Sequence, residues 1–385
     1  MATAEELIDT ARERTGLDDL GATTFRAGLD RLVDGLAAEA QLNELGRAMA
    51  PEGLVGHLTN RLEIVDWHRR HPEIGAGEVR APLFLVGMGR TGTTILHDLL
   101  GQDPRVRIPR TWEVDRPCPP PEAATAATDP RVAESQARID LGYEVRPEMR
   151  AMHPMGATRG QECILMTGSE FASGIFLSQF SLPSYFSWLI HDADMAPAYR
   201  WHRTFLQLLQ WRDPAERWVL KSGAHLWALP ALAAEYPDAR FVQTHRDPLR
   251  VIASMSSLFA LVHATASDDV TVATVAAEWA EPVLDALDRS VTARDDGTIP
   301  AERVVDVPYD AFVADPFAHI RSIYDLLETK LTPEVEARMR AFLAENRADT
   351  HGIHRYSFAD TGLDAGAVRE RARRYTDYFD VPAGD

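Results

Sequence analysis

The sequence APLFLVGMGRTGTTILHDLLG, residues 81–101, decides the fold because it changes from strand-like to helix-like through a run of glycines. Leu83 to Val86 form an apolar run of strand length. Gly87, Gly89 and Gly92 interrupt it before apolar residues recur at helical spacing. A strand that enters a helix through glycines presents several backbone N–H groups and the positive end of the helix dipole to one small volume. The stretch therefore predicts a loop that binds phosphate.

This loop departs from the common nucleotide-binding loop at one informative position. Gly87 to Gly92 fits G-x-x-x-x-G, but Thr93 occupies the position where an ATPase or GTPase has its phosphate-reaching lysine. The cation of the loop is Arg90, whose forked guanidinium can hold a terminal phosphate or sulfate together with backbone N–H groups and hydroxyls. A plain strand–turn–helix of another α/β protein is the alternative, and it does not require so specific a loop sequence.

The loop segment Arg90, Thr91, Gly92, Thr93 and Thr94 resembles the 5′-phosphosulfate loop of sulfotransferases. It is similar in particular to the bacterial, actinobacterial-type branch, which is related to the tyrosylprotein and carbohydrate sulfotransferases. The resemblance implies an α/β P-loop fold with a central parallel sheet flanked by helices. It also implies that the protein takes its sulfuryl group from 3′-phosphoadenosine 5′-phosphosulfate (PAPS), releases 3′-phosphoadenosine 5′-phosphate (PAP) and requires no metal.

A second cofactor motif lies in RDPLRVIAS, residues 246–254. Arg246 directly follows an apolar strand and Ser254 lies eight residues further on, an order that resembles the 3′-phosphate motif of the family. In α/β sheets, ligands bind at the edge where such strands end. Tyr309, in VPYDAFV, resembles the family's tyrosine that contacts the cofactor phosphates, and packing after a strand is an equal alternative. These three residues and the loop segment form the predicted cofactor site.

Sulfuryl transfer needs a cation at the oxygen that bridges sulfur and the leaving phosphate. Lys221 is one of two lysines in a chain that otherwise uses arginine, and it lies at the predicted end of a strand. It resembles the catalytic lysine of the tyrosylprotein branch. We therefore assign it charge stabilisation at the bridging oxygen, shared with Arg90.

Three residues compete for the role of the general base that takes the acceptor proton. Glu113, in RTWEV, lies where the related enzymes carry a catalytic glutamate, and a carboxylate beside cations stays charged at neutral pH. Its alternative role is an ion pair with Arg110 or Arg116. Glu162, in GATRGQEC, and His225, in KSGAHL, are the rivals. The sequence favours Glu113 and leaves the choice among the three open.

Hydrophobic periodicity separates an N-terminal helical region from the P-loop domain. Residues 1–78 are predicted to form helices that pack on the core, and residues 79–385 to form the domain itself. Within it, residues 149–211 are helical and rich in aromatic side chains, and they form the predicted acceptor-side insertion. Strands alternate with helices along the domain, which implies a parallel sheet. Besides the strand at 83–86, strands are predicted at residues 105–108, 218–220, 240–244 and 304–307.

Charge and cysteine content limit the partners and the compartment. The chain has 40 basic and 58 acidic residues, a net charge of −18, which argues against nucleic acid or an anionic membrane as a partner. Cys118 and Cys163 match no metal-ligand spacing, and so few cysteines fit a reducing compartment. The sequence contains no signal peptide and no run that reads as a membrane span, so a cytoplasmic location is expected.

The acceptor and two rival functions stay open at this point. Aromatic residues in the middle third favour an apolar small molecule or lipid, with a hydroxyl or amine to be sulfated, over a charged polysaccharide. A P-loop kinase or other nucleotide phosphotransferase is the rival enzyme, and Thr93 counts against it. A non-catalytic nucleotide-binding scaffold that uses the N-terminal helices is the rival of another class; the joint presence of Arg90, Glu113, Lys221 and Arg246 counts against it. A homo-oligomer is compatible with the sequence.

Overall fold

A computed structural model describes residues 1–346 and 354–384 of the chain. In these ranges, five strands form one sheet in which all neighbouring strands run parallel. The strands are β1 (Leu83–Val86), β2 (Val106–Arg107), β3 (Arg217–Lys221), β4 (Arg240–His245) and β5 (Val304–Pro308). Their order across the sheet is β2-β3-β1-β4-β5, which places the phosphate-loop strand in the centre. A parallel sheet flanked by helices is the architecture predicted from the sequence.

Helices account for most of the remaining described residues. The α-helices are α1 (Ala4–Thr15), α2 (Arg26–Ala38), α3 (Glu44–Arg70), α4 (Thr93–Leu100), α5 (Thr111–Asp115), α6 (Pro130–Val145), α7 (Met149–Met152), α8 (Cys163–Thr167), α9 (Ile175–Gln179), α10 (Pro183–His191), α11 (Ala196–Gln210), α12 (Leu229–Glu235), α13 (Pro248–Ala266), α14 (Val272–Asp295), α15 (Tyr309–Ala314), α16 (Pro316–Leu326), α17 (Pro333–Glu345) and α18 (Ala365–Tyr378). Short 3-10 helices lie at Thr23–Phe25, Ala126–Thr128, Gly168–Glu170, Gly223–Trp227, Ala301–Arg303 and Phe358–Thr361.

The central strand β1 is buried on both faces, because alternate side chains of a strand point to opposite sides of the sheet. Leu83 and Leu85 belong to one apolar cluster with residues of α4, α16 and α17. Phe84 and Val86 belong to a larger cluster with residues of α11, α12 and α13. Helices on both faces therefore explain why this strand reads as a continuous apolar run rather than an alternating one.

The carboxyl ends of four parallel strands meet at one edge of the sheet, and the predicted functional residues follow these ends. Leu85 of β1 is in register with Lys221, the last residue of β3. His245, the last residue of β4, is in register with Pro308 of β5. Arg246 follows β4 directly and Tyr309 follows β5 directly. The fold thus brings the loop after β1, the end of β3 and both of these residues to the same edge, where α/β proteins bind ligands.

The segment after β2 differs from the sequence-based expectation. The sequence predicts only a strand over residues 105–108 here, but Thr111–Asp115 form the short helix α5. The reason is a local cap, because the Glu113 carboxylate accepts a hydrogen bond from the backbone N–H of Arg110 at 3.0 Å. The helix ends just before the prolines that begin at Pro117, which cannot donate backbone hydrogen bonds.

The N-terminal helices α1 to α3 share a core with the sheet and the 149–211 insertion. Arg61 of α3 is 1% exposed and donates to the Glu170 carboxylate at 2.6 Å and to the backbone oxygens of Leu20 and Ala22. A buried ion pair of this kind costs several kcal/mol when one partner is removed. The contact therefore ties α3 and the loop between α1 and α2 to the insertion through charge as well as through apolar packing.

Among the described residues, one helix qualifies as a membrane span by length and composition, although none was expected from the sequence. This helix is α13, Pro248–Ala266, and 56% of its most apolar window is buried inside the protein. The core helix of a soluble protein meets the same criterion. In this fold α13 packs against α14, α3 and α9, and it carries the predicted cofactor residue Ser254.

Candidate active site

The loop after β1 adopts a conformation that depends on its glycines. Gly87 has φ 142° and Gly92 has φ 87°, both in the region that side chains disfavour. A Cβ on Gly87 would lie 2.2 Å from Thr244 Oγ1, so the loop needs glycine there for a close approach to β4. The Thr91 hydroxyl lies 2.6 Å from both Met88 O and Thr244 Oγ1. The side chain of Thr91 therefore fixes the loop, and its backbone N–H is the group left for a ligand.

Arg90 joins the phosphate loop to the second predicted cofactor motif. Its Nε donates to Ser254 Oγ at 3.0 Å and its Nη1 donates to Met152 O at 2.9 Å. Arg246 in turn donates from Nη1 to the backbone oxygen of Arg90 at 2.7 Å. The structure thus brings Arg90, Arg246 and Ser254 together, as the predicted cofactor site requires.

The two arginines have an unusual electrostatic environment. Among the described residues, neither Arg90 nor Arg246 has a carboxylate within ion-pair distance, although the chain carries a net charge of −18. Burial lowers the pKa of the Arg90 guanidinium, and the nearby Arg246 lowers it further. Two close cations without an acidic partner repel each other. An anion at this position would relieve that repulsion.

Tyr309 packs between the two cofactor motifs. The Arg246 guanidinium carbon lies 4.1 Å from the centre of the Tyr309 ring, a cation–π arrangement. On the loop side, a Cβ on Gly92 would lie 3.1 Å from Tyr309 Cδ2. The ring therefore orients Arg246 and borders the loop, and a direct contact with a cofactor phosphate stays a prediction.

Lys221 forms the second group of interactions at this edge. Its Nζ donates to Thr94 Oγ1 at 3.2 Å and to Glu162 Oε1 at 2.9 Å. Lys221 is 2% exposed, whereas the side chain of Glu162 is 24% exposed. Burial acts to raise the pKa of Glu162, but the Lys221 ammonium and its hydrogen bond outweigh this effect and lower the pKa. Glu162 is therefore a carboxylate at neutral pH.

Glu113 lies in a different environment from the one that we expected for a base. It is 0% exposed, and its Oε1 accepts from Arg107 Nη2 at 3.0 Å while its Oε2 caps α5. Arg110 approaches it at 3.6 Å. Both carboxylate oxygens are thus engaged in the protein interior, where the fold turns this side chain toward Arg107. Among the described residues, Glu113 has no hydrogen bond or ion pair with Lys221, Arg90 or the phosphate loop.

His225, the third candidate base, is buried within the core. Its Nδ1 lies 2.9 Å from the Tyr199 hydroxyl, and its Nε2 has no partner in the described part of the chain. Burial lowers the pKa of His225 to about 3, so the ring is neutral at neutral pH. A neutral imidazole can accept a proton, but this low pKa makes it a weak base.

Two small cavities lie in this region, and Lys221 lines one of them. The first is polar and is lined by Lys221, Thr94, Thr111, Gln161, Asp98 and Arg159, among others. The second is mostly apolar and begins at the residues that follow Glu162 and Lys221 in the chain. Lys221 therefore borders the polar cavity, whereas Glu162 lines neither of the two.

The sequence analysis missed two residues of the polar cavity. Asp98 is 5% exposed, and burial raises its pKa although Arg159 lies 3.8 Å away. Its position four residues after Thr94, on the same face of α4, was the available signal. His153, which follows the residue that accepts from Arg90, also lines this cavity, and burial lowers its pKa to about 4. No sequence pattern pointed to His153.

The described ranges, 1–346 and 354–384, contain no group of three or more His, Cys, Asp or Glu side chains arranged to hold a metal ion. Cys118 and Cys163 are both buried and free.

Comparisons with known proteins assign this fold and site to a family. The sequence model of the sulfotransferase family matches residues 82–333. The chain is similar to the crystal structure of sulfotransferase STF1 from Mycobacterium tuberculosis, with 34% identity, 96% of this chain and 98% of that chain covered, and a TM-score of 0.85. It is also similar to sulfotransferase STF9 from Mycobacterium avium, with 30% identity, 99% and 98% of the two chains covered, and a TM-score of 0.91. A search of curated proteins gave no match. With its P-loop sheet, its paired arginines and these relatives, the chain belongs to the sulfotransferase family and is a sulfotransferase enzyme.

Proposed function

We propose that this sulfotransferase moves the sulfuryl group of PAPS to a hydroxyl of an apolar small molecule or lipid. The observation that supports the donor most is the pair Arg90 and Arg246, which converge at the ligand-binding edge without a carboxylate partner among the described residues. PAPS carries a 5′-phosphosulfate and a 3′-phosphate. Its several negative charges match two uncompensated guanidinium groups in an otherwise acidic protein.

The two ends of the donor fit different parts of the site. The backbone N–H groups of residues 90–94, at the start of α4, suit the 5′-phosphosulfate together with the Arg90 guanidinium. Arg246 and Ser254 suit the 3′-phosphate, with Tyr309 holding Arg246 in place. The Arg90–Ser254 hydrogen bond supports this division because it brings the two anion sites next to each other.

We assign the proton transfer to Glu162 rather than to Glu113. The acceptor oxygen forms a bond to sulfur while the bond between sulfur and the phosphate oxygen breaks. The hydroxyl proton goes to the Glu162 carboxylate, which is partly exposed and lies 2.9 Å from Lys221. The leaving phosphate keeps the electron pair, and Lys221 and Arg90 stabilise its charge. Glu113 cannot take this role without giving up its bonds to Arg107 and the α5 cap.

The setting proposed for this reaction is the cytoplasm. Two buried, free cysteines fit a reducing compartment. Similarity to the two mycobacterial enzymes is consistent with it.

Calorimetric titration with PAP tests the donor. We expect the wild-type protein to bind PAP without Mg²⁺ and to bind ATP more weakly, since ATP lacks the 3′-phosphate. Arg246→Ala should weaken PAP binding about tenfold or more, because a charge-assisted hydrogen bond is lost. Arg240→Ala is the matched control: the same residue type at the opposite end of β4, bonded only to a neighbouring backbone oxygen.

The outcomes of this titration separate the proposal from its rivals. PAP binding that falls in Arg246→Ala and stays in Arg240→Ala supports the PAPS assignment. Stronger binding of ATP, dependent on Mg²⁺, would replace it with a kinase or phosphotransferase function. PAP binding without turnover over a broad acceptor panel would favour the scaffold function.

A further inference from the structure

The two residues that flank Arg246 in the chain are both bound by α18 and the segment that follows it. His245, before Arg246, has its Nδ1 3.0 Å from the Tyr375 hydroxyl on α18. Asp247, after Arg246, accepts a hydrogen bond at its Oδ2 from the backbone N–H of Gly384 at 2.6 Å. His245, Asp247 and Tyr375 are all buried. The backbone of Arg246 is therefore held from both sides by residues 365–384.

The hydrogen bonds around His245 have a defined direction. Its Nε2 lies 2.9 Å from Asp306 Oδ1, and a carboxylate oxygen only accepts, so Nε2 carries the proton. In the neutral ring Nδ1 is then an acceptor, and the Tyr375 hydroxyl donates to it. Arg294 donates to the other oxygen of Asp306 at 2.8 Å. These four side chains thus form one continuous network that ends at the Tyr375 hydroxyl.

The oxygen of the Tyr375 hydroxyl also lies beside the backbone of Arg246. Burial raises the pKa of this hydroxyl, and the backbone N–H of Arg246 acts to lower it. The register between β4 and β5 ends at His245 and Pro308, so Arg246 is the first residue beyond the sheet. The hydroxyl therefore supports the backbone of Arg246 at the point where the sheet no longer does.

We propose that Tyr375 is a positioning residue that holds Arg246 in the orientation in which its guanidinium meets the 3′-phosphate of the donor. The inference rests on the proposed function, in which Arg246 and Ser254 bind that phosphate. It adds that discrimination between PAP and nucleotides without a 3′-phosphate depends on a hydroxyl of α18. A guanidinium meets a phosphate with paired hydrogen bonds in a fixed geometry, so a small shift of the backbone at Arg246 weakens this contact in particular.

Tyr375→Phe removes the hydroxyl and keeps the ring, so it retains the apolar packing of α18. Tyr236→Phe is the matched control, because the Tyr236 hydroxyl also belongs to a buried side chain and lies 2.7 Å from a histidine nitrogen, His202 Nδ1. The Tyr236 ring packs on Phe84 and His202 in the core. Arg246→Ala gives the size of the loss when the arginine itself is absent.

The test compares the affinity for PAP with that for 5′-AMP, which lacks the 3′-phosphate, by calorimetric titration and by competition against PAP. In Tyr375→Phe we expect PAP binding to weaken about three- to tenfold and 5′-AMP binding to change less than about twofold, since the lost hydrogen bonds act on the 3′-phosphate contact. Tyr236→Phe should keep the wild-type ratio of the two affinities. Added to Arg246→Ala, Tyr375→Phe should cause no further loss of PAP affinity, because both residues act through one contact.

The outcomes separate this inference from the proposed function on which it rests. A ratio that falls in Arg246→Ala but keeps its wild-type value in Tyr375→Phe would overturn the inference and leave the 3′-phosphate assignment in place. An equal loss of affinity for both nucleotides, or a further loss in the double variant, would show that Tyr375 does not act through Arg246. If the ratio is unchanged in Arg246→Ala itself, the 3′-phosphate assignment fails and the inference fails with it.

Discussion

Lys221 Nζ lies 2.9 Å from Glu162 Oε1 and 3.2 Å from Thr94 Oγ1, so one buried ammonium joins the phosphate-loop helix to a carboxylate from the insertion. The ammonium is nearly inaccessible to solvent, which strengthens its interaction with both partners. A cation beside the leaving oxygen and a base beside the acceptor are the two chemical requirements of sulfuryl transfer. One hydrogen bond joins the two side chains to which we assign these roles.

Glu162→Gln should lower kcat about 10²–10⁴-fold, because the amide cannot take the acceptor proton. The affinity for PAP should change much less than kcat, since Glu162 reaches the phosphate site only through its hydrogen bond with Lys221. Steady-state kinetics and calorimetry measure the two quantities separately. Lys221 lowers the pKa of Glu162. Wild-type activity should therefore persist as the pH falls below the ordinary glutamate pKa, and it should decline only at the still lower pH at which Glu162 takes up a proton. A comparable loss of kcat in His225→Gln, with Glu162→Gln active, would assign the base to His225.

Glu113→Gln should act on stability. The carboxylate is fully buried against Arg107, and breaking a buried ion pair from one side costs about 3–5 kcal/mol. The matched control is Glu134→Gln, which breaks the half-exposed pair with Arg116 and should cost less than about 1 kcal/mol. Urea unfolding measures both. Unchanged stability together with a large loss of kcat in Glu113→Gln would return the role of base to this residue.

The sequence predicts the elements of this sheet edge better than the partners of its charged side chains. Lys221, Arg246 and Tyr309 follow apolar runs of strand length, and parallel strands bring their carboxyl ends to one edge. Their neighbourhood was therefore predictable from local patterns. The five strands also lie within a few residues of the predicted ranges.

Such local patterns do not show which of Glu113 and Glu162 lies beside Lys221. Both glutamates precede or begin short helices in segments without clear periodicity. Whether a carboxylate meets Arg107 or Lys221 depends on how distant segments pack, since 59 residues separate Glu162 from Lys221. Of the two ion-pair partners predicted for Glu113, Arg110 lies 3.6 Å away, but the nearer guanidinium is that of Arg107 at 3.0 Å. Tertiary packing decides this choice.

Protonation of Asp306 should lower the free energy of unfolding as the pH falls from about 4 to about 2. Burial acts to raise its pKa, but hydrogen bonds from His245 and Arg294 outweigh this and lower the pKa to about 2. A carboxyl group with a lowered folded pKa stabilises the protein above its ordinary value of 3.8 and loses this contribution as the pH drops through the folded pKa.

Asp306→Asn tests this contribution. The difference in free energy of unfolding between wild type and variant should be about 1 kcal/mol at pH 6, reduced by the partial exposure of the side chain, and should shrink toward pH 2. Urea unfolding at several pH values measures it, with Asp377→Asn, at an exposed position of α18, as the control. A difference that is independent of pH would contradict the lowered pKa.

The backbone of Arg90 should be strained, because it has φ 71° although the residue is not glycine. We therefore expect Arg90 to lower the free energy of unfolding while it serves the proposed cofactor site. Such a conformation costs a residue with a side chain about 1–2 kcal/mol, and glycine does not incur this cost. Arg90→Gly and Arg90→Ala remove the same guanidinium and should both lose PAP binding. The free energy of unfolding of Arg90→Gly should be about 1 kcal/mol higher than that of Arg90→Ala. At most positions glycine is the less stabilising of the two residues, so the usual order is reversed here. Equal stabilities, or a more stable alanine variant, would mean that the loop is not strained at this position.

Two glycines of α3 should respond in opposite directions to alanine, because only one of them lies against the α/β core. A Cβ on Gly46 would lie 2.2 Å from the backbone oxygen of Ala266 at the end of α13, whereas a Cβ on Gly53 meets nothing within 4 Å. Gly46→Ala must push two backbones apart and should lower the free energy of unfolding by about 1–3 kcal/mol. Gly53→Ala should raise it by about 0.5–1 kcal/mol, since alanine loses less entropy in a helix. Urea unfolding of both variants measures the difference, and a stabilised Gly46→Ala would show that α3 does not pack closely on α13.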